Sequence, residues 1–144
     1  MDLTDKQRVQ FEKFIKKMIE KKCYCGSKKS FQECCEPFIN GTQKAPTALA
    51  LMRSRYSAYA TLQADYILAT THILERNCHS KSEILQWATS NQWLKLEIIN
   101  ATENMVEFKA YFLDSKLQKQ IHHELSTFKL ENGSWFYVDG QFFT

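Results

Sequence analysis

An α+β domain, with helices packed on a curved four-stranded antiparallel sheet, is predicted by three observations. Apolar residues recur at helical spacing through the first part of the chain. From Leu94 onward they alternate with polar neighbours. An Asn132-Gly133 pair then joins the last two alternating runs. At 144 residues the chain has room for one apolar core and a small appendage, not for two compact domains. With only four Gly and two Pro, low-complexity organisation is excluded and most of the chain should fold.

The elements follow in order. Thr4 or Asp5 caps a first helix running to about Lys22, with Phe11, Phe14, Ile15 and Met18 on one stripe and Lys6, Lys13, Lys16 and Lys17 on the polar side. Such a helix should lie on another surface through its Phe/Ile stripe. A connector from Gly41 to Pro46 marks a boundary, and Pro46 is placed to open a second helix to about Gln63. Leu49, Met52, Tyr56, Tyr59 and Ala60 form its expected buried stripe. Shorter helical pieces cover about Asp65 to Thr71 and Ser82 to Ser90. The units expected are a basic amphipathic helix over 1–22, a cysteine motif over 23–40 and the α+β domain over 45–144.

Four strands complete the domain. Leu94, Leu96 and Ile98 alternate in the first, and Val106, Phe108, Ala110 and Phe112 in the second. Gln120 to Leu130 and Ser134 to Phe143 supply the third and fourth. Asn132-Gly133 suits a two-residue type I′ turn, in which both central residues take positive φ. That turn sets Glu131 opposite Ser134, Leu130 opposite Trp135 and Phe128 opposite Tyr137. A regular ladder continues to Ser126 opposite Asp139 and Glu124 opposite Gln141. One face then carries Glu124, Ser126, Phe128, Leu130, Trp135, Tyr137 and Asp139. Leu125, Thr127, Phe136, Val138 and Phe142 lie on the other, with His123 at its edge. Both faces are apolar enough to need covering.

Cys23, Cys25, Cys34 and Cys35 stand out. The thirteen residues they bracket contain only Tyr24 and Phe31 as bulky apolar groups, too few for a core. One structural zinc ion held by the four thiolates supplies the missing energy, since such sites bind with roughly 10 to 16 kcal/mol near pH 7. Gly26 lets the chain turn between the ligand pairs. Two disulfides are the competing reading, but no secretory signal points to an oxidising compartment, so the chain is assigned to the cytosol. A closed four-thiolate site leaves no coordination position for catalysis. Cys78-His79 is a further ligand pair by type, without nearby partners.

The net charge of +3 is uneven. Residues 1–29 hold nine Lys or Arg against four Asp or Glu, and residues 30–144 hold ten against twelve. The basic character belongs to the amino-terminal part, which suits an acidic protein partner, RNA or an anionic surface. No stretch approaches the length needed for a membrane span.

The segment Cys23-Tyr24-Cys25-Gly26-Ser27-Lys28-Lys29-Ser30-Phe31-Gln32-Glu33-Cys34-Cys35 resembles the SEC-C zinc motif first noticed in the tail of the SecA translocation ATPase. Pro37-Phe38, Ala48-Leu49, Leu51 to Tyr59, Ala69 to His72 and Trp135 to Gly140 extend the resemblance to the YchJ family of small bacterial proteins. The resemblance implies a cone-shaped, nuclear transport factor 2-like (cystatin-like) fold after the zinc motif, and it brings no established reaction. In SecA the related motif docks an acidic chaperone, which implies protein binding here. Tyr24 stands where a proline is usual and Lys28 where a glycine is usual. Leu125 and Thr127 stand where family members often carry Arg.

Cone-shaped domains often enclose a cavity between sheet and helices. The polar residues expected to line it are Arg53 or Arg55, His72, Glu124, Ser126, Tyr137 and Asp139. Arg53 and Arg55 are two apart on a helix and cannot share a face, so the outward one should pair with a surface carboxylate. His72 ends a helix, where the helix dipole favours it. The reading is a zinc-stabilised adaptor with a pocket for a small ligand. The alternatives are an enzyme acting on a small anionic ligand, with His72 as acid or base, and RNA or ribosome binding through the basic part.

Overall fold

The computed structural model describes residues 4–19 and 21–144, with the side chains of 16–20 outside that description. Helix α1 (Asp5–Ile19) opens with a reciprocal cap: Gln7 N donates to Thr4 Oγ1 at 3.2 Å, and Thr4 N donates to Gln7 Oε1 at 3.0 Å. It does not reach Lys22, which forms an antiparallel bridge with Ser30. The expected places of Lys16, Lys17 and Met18 lie outside the described side chains. The surface expected to cover the stripe is absent among the described residues, for Phe11, Phe14 and Ile15 are exposed.

Helices α2 (Glu36–Ile39), α3 (Ala48–Ala60), α4 (Ala64–Ala69) and α5 (Lys81–Ser90) follow. Pro46 does not open α3; Thr47 does, its hydroxyl accepting from Ala50 N at 3.0 Å. Ser80 caps α5 in the same way, accepting from Glu83 N at 3.1 Å. Helix α3 has no single stripe. Leu51, Met52 and every residue from Ser54 to Ala58 are buried, because the sheet packs on one side of the helix and the cysteine segment and α4 on others.

Strands β1 (Gln92–Ala101), β2 (Met105–Leu113), β3 (Lys119–Glu131) and β4 (Ser134–Phe143) form one open antiparallel sheet in the order β1-β2-β3-β4. Val106, Phe108 and Ala110 of β2 and Phe128 of β3 meet Ala48, Leu51, Met52 and Tyr56 of α3 in the main core. A smaller cluster of Ala58, Ala64, Ile67 and Ile84 joins α3, α4 and α5. Strand β1 departs from the expected alternation. A bulge at Leu94 turns that residue outward and lets Trp93 pack on the core with Leu96 and Ile98.

Asn132 and Gly133 take φ of 52° and 79°, as a type I′ turn requires, and the four pairs next to the turn, from Glu131 opposite Ser134 to Phe128 opposite Tyr137, have the expected register. Beyond them the ladder slips by one. Val138 is the extra residue of a bulge, so Thr127 pairs with Asp139, Ser126 with Gly140 and Glu124 with Phe142. The neighbouring backbone explains the break: Tyr137 N donates to Thr70 O and His72 N donates to Tyr137 O, each at 2.8 Å, so the segment after α4 holds β4 here. Asp139 thereby leaves the concave face and Phe142 joins it. On the convex face His72 packs edge-on to Phe136, and the rest of that face stands largely open among the described residues. Ile121 is exposed there, beside a His123–Glu107 pair at 2.7 Å and Lys95 lying 4.9 Å from the centroid of the Tyr111 ring.

Candidate metal centre and cone cavity

The cysteine segment is short of apolar side chains, and polar contacts shape it. Gly26 at φ +80° and Lys28 at φ +72° turn the chain between the two ligand pairs. Cys23 N donates to Lys29 O at 2.8 Å, closing this loop, and the Tyr24 and Phe31 rings meet edge to face at 5.4 Å. Ser30 then caps a 3₁₀ turn, Phe31–Glu33, that delivers Cys34 and Cys35. The result is a cluster in which the Sγ atoms of Cys23, Cys25, Cys34 and Cys35 all lie within 4.8 Å of one another. Cys25 and Cys34 are 3.6 Å apart, and Cys34 and Cys35 are 3.9 Å apart.

The main domain holds this cluster firmly. Arg53 of α3 donates to Cys25 O at 2.8 Å, Ser57 Oγ lies 3.5 Å from Cys23 Sγ, and Leu96 of β1 packs against the cysteines. Arg53 thus spends its outward position on the motif instead of a surface carboxylate. Ser27 Oγ sits 3.0 Å from Cys34 Sγ. Four thiols this close cannot all ionise unaided. Burial pushes Cys34 up to about 11 despite the Ser27 hydroxyl, and hydrogen bonds to Cys23 and Cys25 push Cys35 far up. Hydrogen bonds from Cys23 and Cys35 hold Cys25 well below the usual thiol range. Such a donor set is placed to hold a metal cation, which would replace the shared protons.

The second feature is a cavity of about 230 Å³ between α3, α4, α5 and the concave face of the sheet. Arg55, Glu124, Ser126 and Tyr137 line it together, as do the aromatic rings of Tyr56, Trp93, Phe108 and Phe142. Glu124 is buried and fully bonded. His122 Nε2 lies 2.8 Å from Oε1, Tyr137 Oη donates to Oε2 at 3.0 Å, and Ser126 Oγ donates to the same oxygen. Burial raises the Glu124 carboxyl, but these donors outweigh it and hold the group below its ordinary value. Burial and the Glu124 charge drive the Tyr137 phenol far up, so it stays protonated and donates. Gly140 makes room for this arrangement: a Cβ there would press on Glu124 Oε2 and sit 2.5 Å from its Cδ.

Three expected members lie elsewhere. Arg53 serves the cysteines. Asp139 is exposed on the convex side of the bulge. His72, buried and edge-on to Phe136, reaches Glu131 Oε2 at 2.7 Å outside the cavity. His122 and His79 line the cavity without having been singled out for it. His122 was legible, because it continues the every-second-residue series of Glu124, Ser126 and Phe128. Cys78 is exposed and does not belong to the four-cysteine cluster. Two larger hollows, of about 460 Å³ beside Phe38 and about 760 Å³ beside Pro46, contain no buried charged side chain.

An open antiparallel sheet curved round a long buried helix, carrying a four-cysteine motif at its side, defines an NTF2-like cone protein with a metal-binding appendage. The family described as "YchJ, middle NTF2-like domain" matches residues 47–140. A UPF0225 protein of Geobacter sulfurreducens is 42% identical over 125 residues, covering 82% of this chain and 77% of that protein. Another, from Photorhabdus laumondii, is 41% identical over 128 residues, covering 82% and 79%. The solution structure of a SEC-C motif containing protein from Rhodopseudomonas palustris matches with a TM-score of 0.79 at 34% identity, over 86% of this chain and 100% of that one. The crystal structure of a SEC-C motif containing protein from Psychrobacter arcticus gives 0.74 at 32% identity, over 86% and 84%. The chain belongs to the YchJ family, also called UPF0225. No helix among the described residues is long and apolar enough to cross a membrane.

Proposed function

We propose that this chain is a zinc-stapled binding protein, in which one structural zinc ion on Cys23, Cys25, Cys34 and Cys35 fastens the amino-terminal segment to α3 and β1 while the cone cavity receives a small ligand. The observation that carries the ligand reading is the polar set of buried Arg55, Glu124 and Ser126 with half-buried Tyr137, all lining a cavity rich in aromatic rings. Zinc is favoured by donor chemistry and spacing. Four sulfurs arranged tetrahedrally at about 2.3 Å from a zinc ion lie about 3.8 Å from one another. The 3.6 Å and 3.9 Å separations of Cys34 from its neighbours bracket that value. Free thiols in this number suit a reducing compartment such as the cytosol.

The test combines metal analysis with ligand screening. Protein purified without added metal should carry one zinc per chain. A fragment library followed by amide and indole NMR shifts should find compounds that perturb Trp93 and Ser126. Zinc absent from folded protein would end the metal reading, and a library that moves no cavity resonance would end the ligand reading.

A second reading, an adaptor for an acidic protein partner, is favoured by α1. Val9, Phe11 and Phe14 are exposed on a helix that also shows Lys6, Arg8 and Lys13 to solvent. Partner capture that weakens with salt and disappears in a Phe11→Glu, Phe14→Glu double variant supports it. Capture unchanged in that variant removes it.

A further inference from the structure

Arg55 is the charged group of the cavity whose hydrogen bonding is unfinished. Only 8% of the residue is exposed. Its Nη1 atom does all the structural work, donating to Ile67 O at 2.9 Å, Thr70 Oγ1 at 2.7 Å and Thr71 Oγ1 at 3.3 Å, and so tying α3 to the end of α4. Nε and Nη2 donate to nothing among the described residues, and no carboxylate there lies within ion-pair distance of the guanidinium. No side-chain nitrogen or oxygen among those residues is both sealed in and unbonded. These two nitrogens therefore open into the cavity that Arg55 lines.

A buried guanidinium with no directly bonded carboxylate is costly, and its three bonds and its stack on Tyr137, 4.6 Å from the ring centroid, offset only part of that cost. Glu124 does not serve as the partner. Both its oxygens are already taken by His122, Ser126 and Tyr137. The missing partner is an acceptor from outside the chain, and Nε with Nη2 is the edge of a guanidinium that grips a carboxylate by two parallel bonds.

The rest of the wall sets the body of the ligand. Trp93 meets Tyr56 and Trp87 edge-on at centroid separations of 6.1 Å and Tyr59 at a tilt at 5.9 Å, and Phe108 and Phe142 border His122. Such walls favour a flat apolar group. The volume of about 230 Å³ holds on the order of eight waters, and so one ring with one acid group.

We infer that the cavity binds a small aromatic carboxylate, its acid group on Arg55 Nε and Nη2 and its ring among Tyr56, Trp93 and Phe108. This rests on the cavity being a ligand site, as proposed above, and adds the chemical class. The test uses the full-length, zinc-loaded chain titrated with benzoate, benzyl alcohol, benzylamine and acetate, followed by calorimetry and by NMR of the Trp93 indole and Arg55 Nε signals. Benzoate should bind saturably and shift both signals, with benzyl alcohol weaker by about tenfold or more, acetate weaker for want of a ring, and benzylamine inert. Arg55→Lys keeps the charge and loses the paired donors, so it should weaken benzoate by about tenfold while unfolding stays cooperative. The wild-type comparison decides the matter even where that variant fails to fold. Benzyl alcohol or benzylamine binding as tightly as benzoate overturns the carboxylate and leaves the cavity reading standing. No shift of Trp93 by any of the four at about 10 mM overturns both.

Discussion

Replacing Gly140 by Ala tests how the concave face is assembled. Gly140 does not need glycine for its backbone, since its φ lies outside the left-handed region. It needs glycine for space: the new methyl would press on Glu124 Oε2 and lie 2.5 Å from Cδ. The carboxylate must move, and moving it strains or breaks the bonds from His122, Ser126 and Tyr137. Hydrogen bonds to a charged group contribute roughly 1.5 to 3 kcal/mol each. Partial relaxation of three such bonds then amounts to about 3 kcal/mol, or roughly 10 °C in Tm for a chain of this size. The same substitution in a Glu124→Ala background meets no carboxylate. It should be neutral or stabilising by about 0.5 kcal/mol, as Gly→Ala is where the backbone permits it. Urea unfolding of the four proteins gives the coupling directly. An equal cost of Gly140→Ala in both backgrounds would refute the reasoning, because the damage would then come from β4 itself.

Other expectations follow from the same structure. Lys28→Gly should stabilise the zinc-loaded protein by about 1 kcal/mol, read from urea midpoints, because Lys28 occupies left-handed backbone at φ +72° where a side chain is penalised. The carboxyl of Glu124 is held below its unfolded value, so its contribution is complete above the unfolded Glu pKa of about 4.3 and is lost as pH falls through the folded one. Wild type should accordingly exceed Glu124→Gln in stability at pH 7, with the gap narrowing below about pH 5 and closing in stronger acid; a gap independent of pH would count against the ionised network. On the zinc reading, stripping the metal with a chelator should abolish amide-exchange protection at Cys23 and Cys34 while β2 and β3 keep theirs, since the sheet core of Val106, Phe108 and Phe128 contains none of the four cysteines.

Much of this architecture could be read in advance, and the exceptions have physical causes. The four strands, the Asn132-Gly133 turn and the cysteine cluster are encoded locally, by alternation, by positive φ and by spacing. The bulge at Val138 is not, because it is imposed by Thr70 and His72 far away in sequence. That single residue misdirected Asp139 and hid Phe142. Gly140 was the available clue, since a glycine inside a strand marks a bulge or a close approach, and here it is the approach of Glu124. His72 and Arg53 were credible by residue type but find Glu131 and Cys25 O, partners that only the folded chain brings near. Arg55 was separable from Arg53 by helical geometry, though which of them turned inward was not.

Helix α3 is addressed from both sides at once. Within six positions, Arg53 and Ser57 face the sulfur cluster while Met52, Arg55 and Tyr56 face the hollow. A sequence under that double demand has little freedom to drift: a larger residue at Ser57 crowds a thiol, and a shorter one at Arg55 unties α4. The helix therefore acts as a shared partition, and any alteration that tilts it toward one tenant is felt by the other.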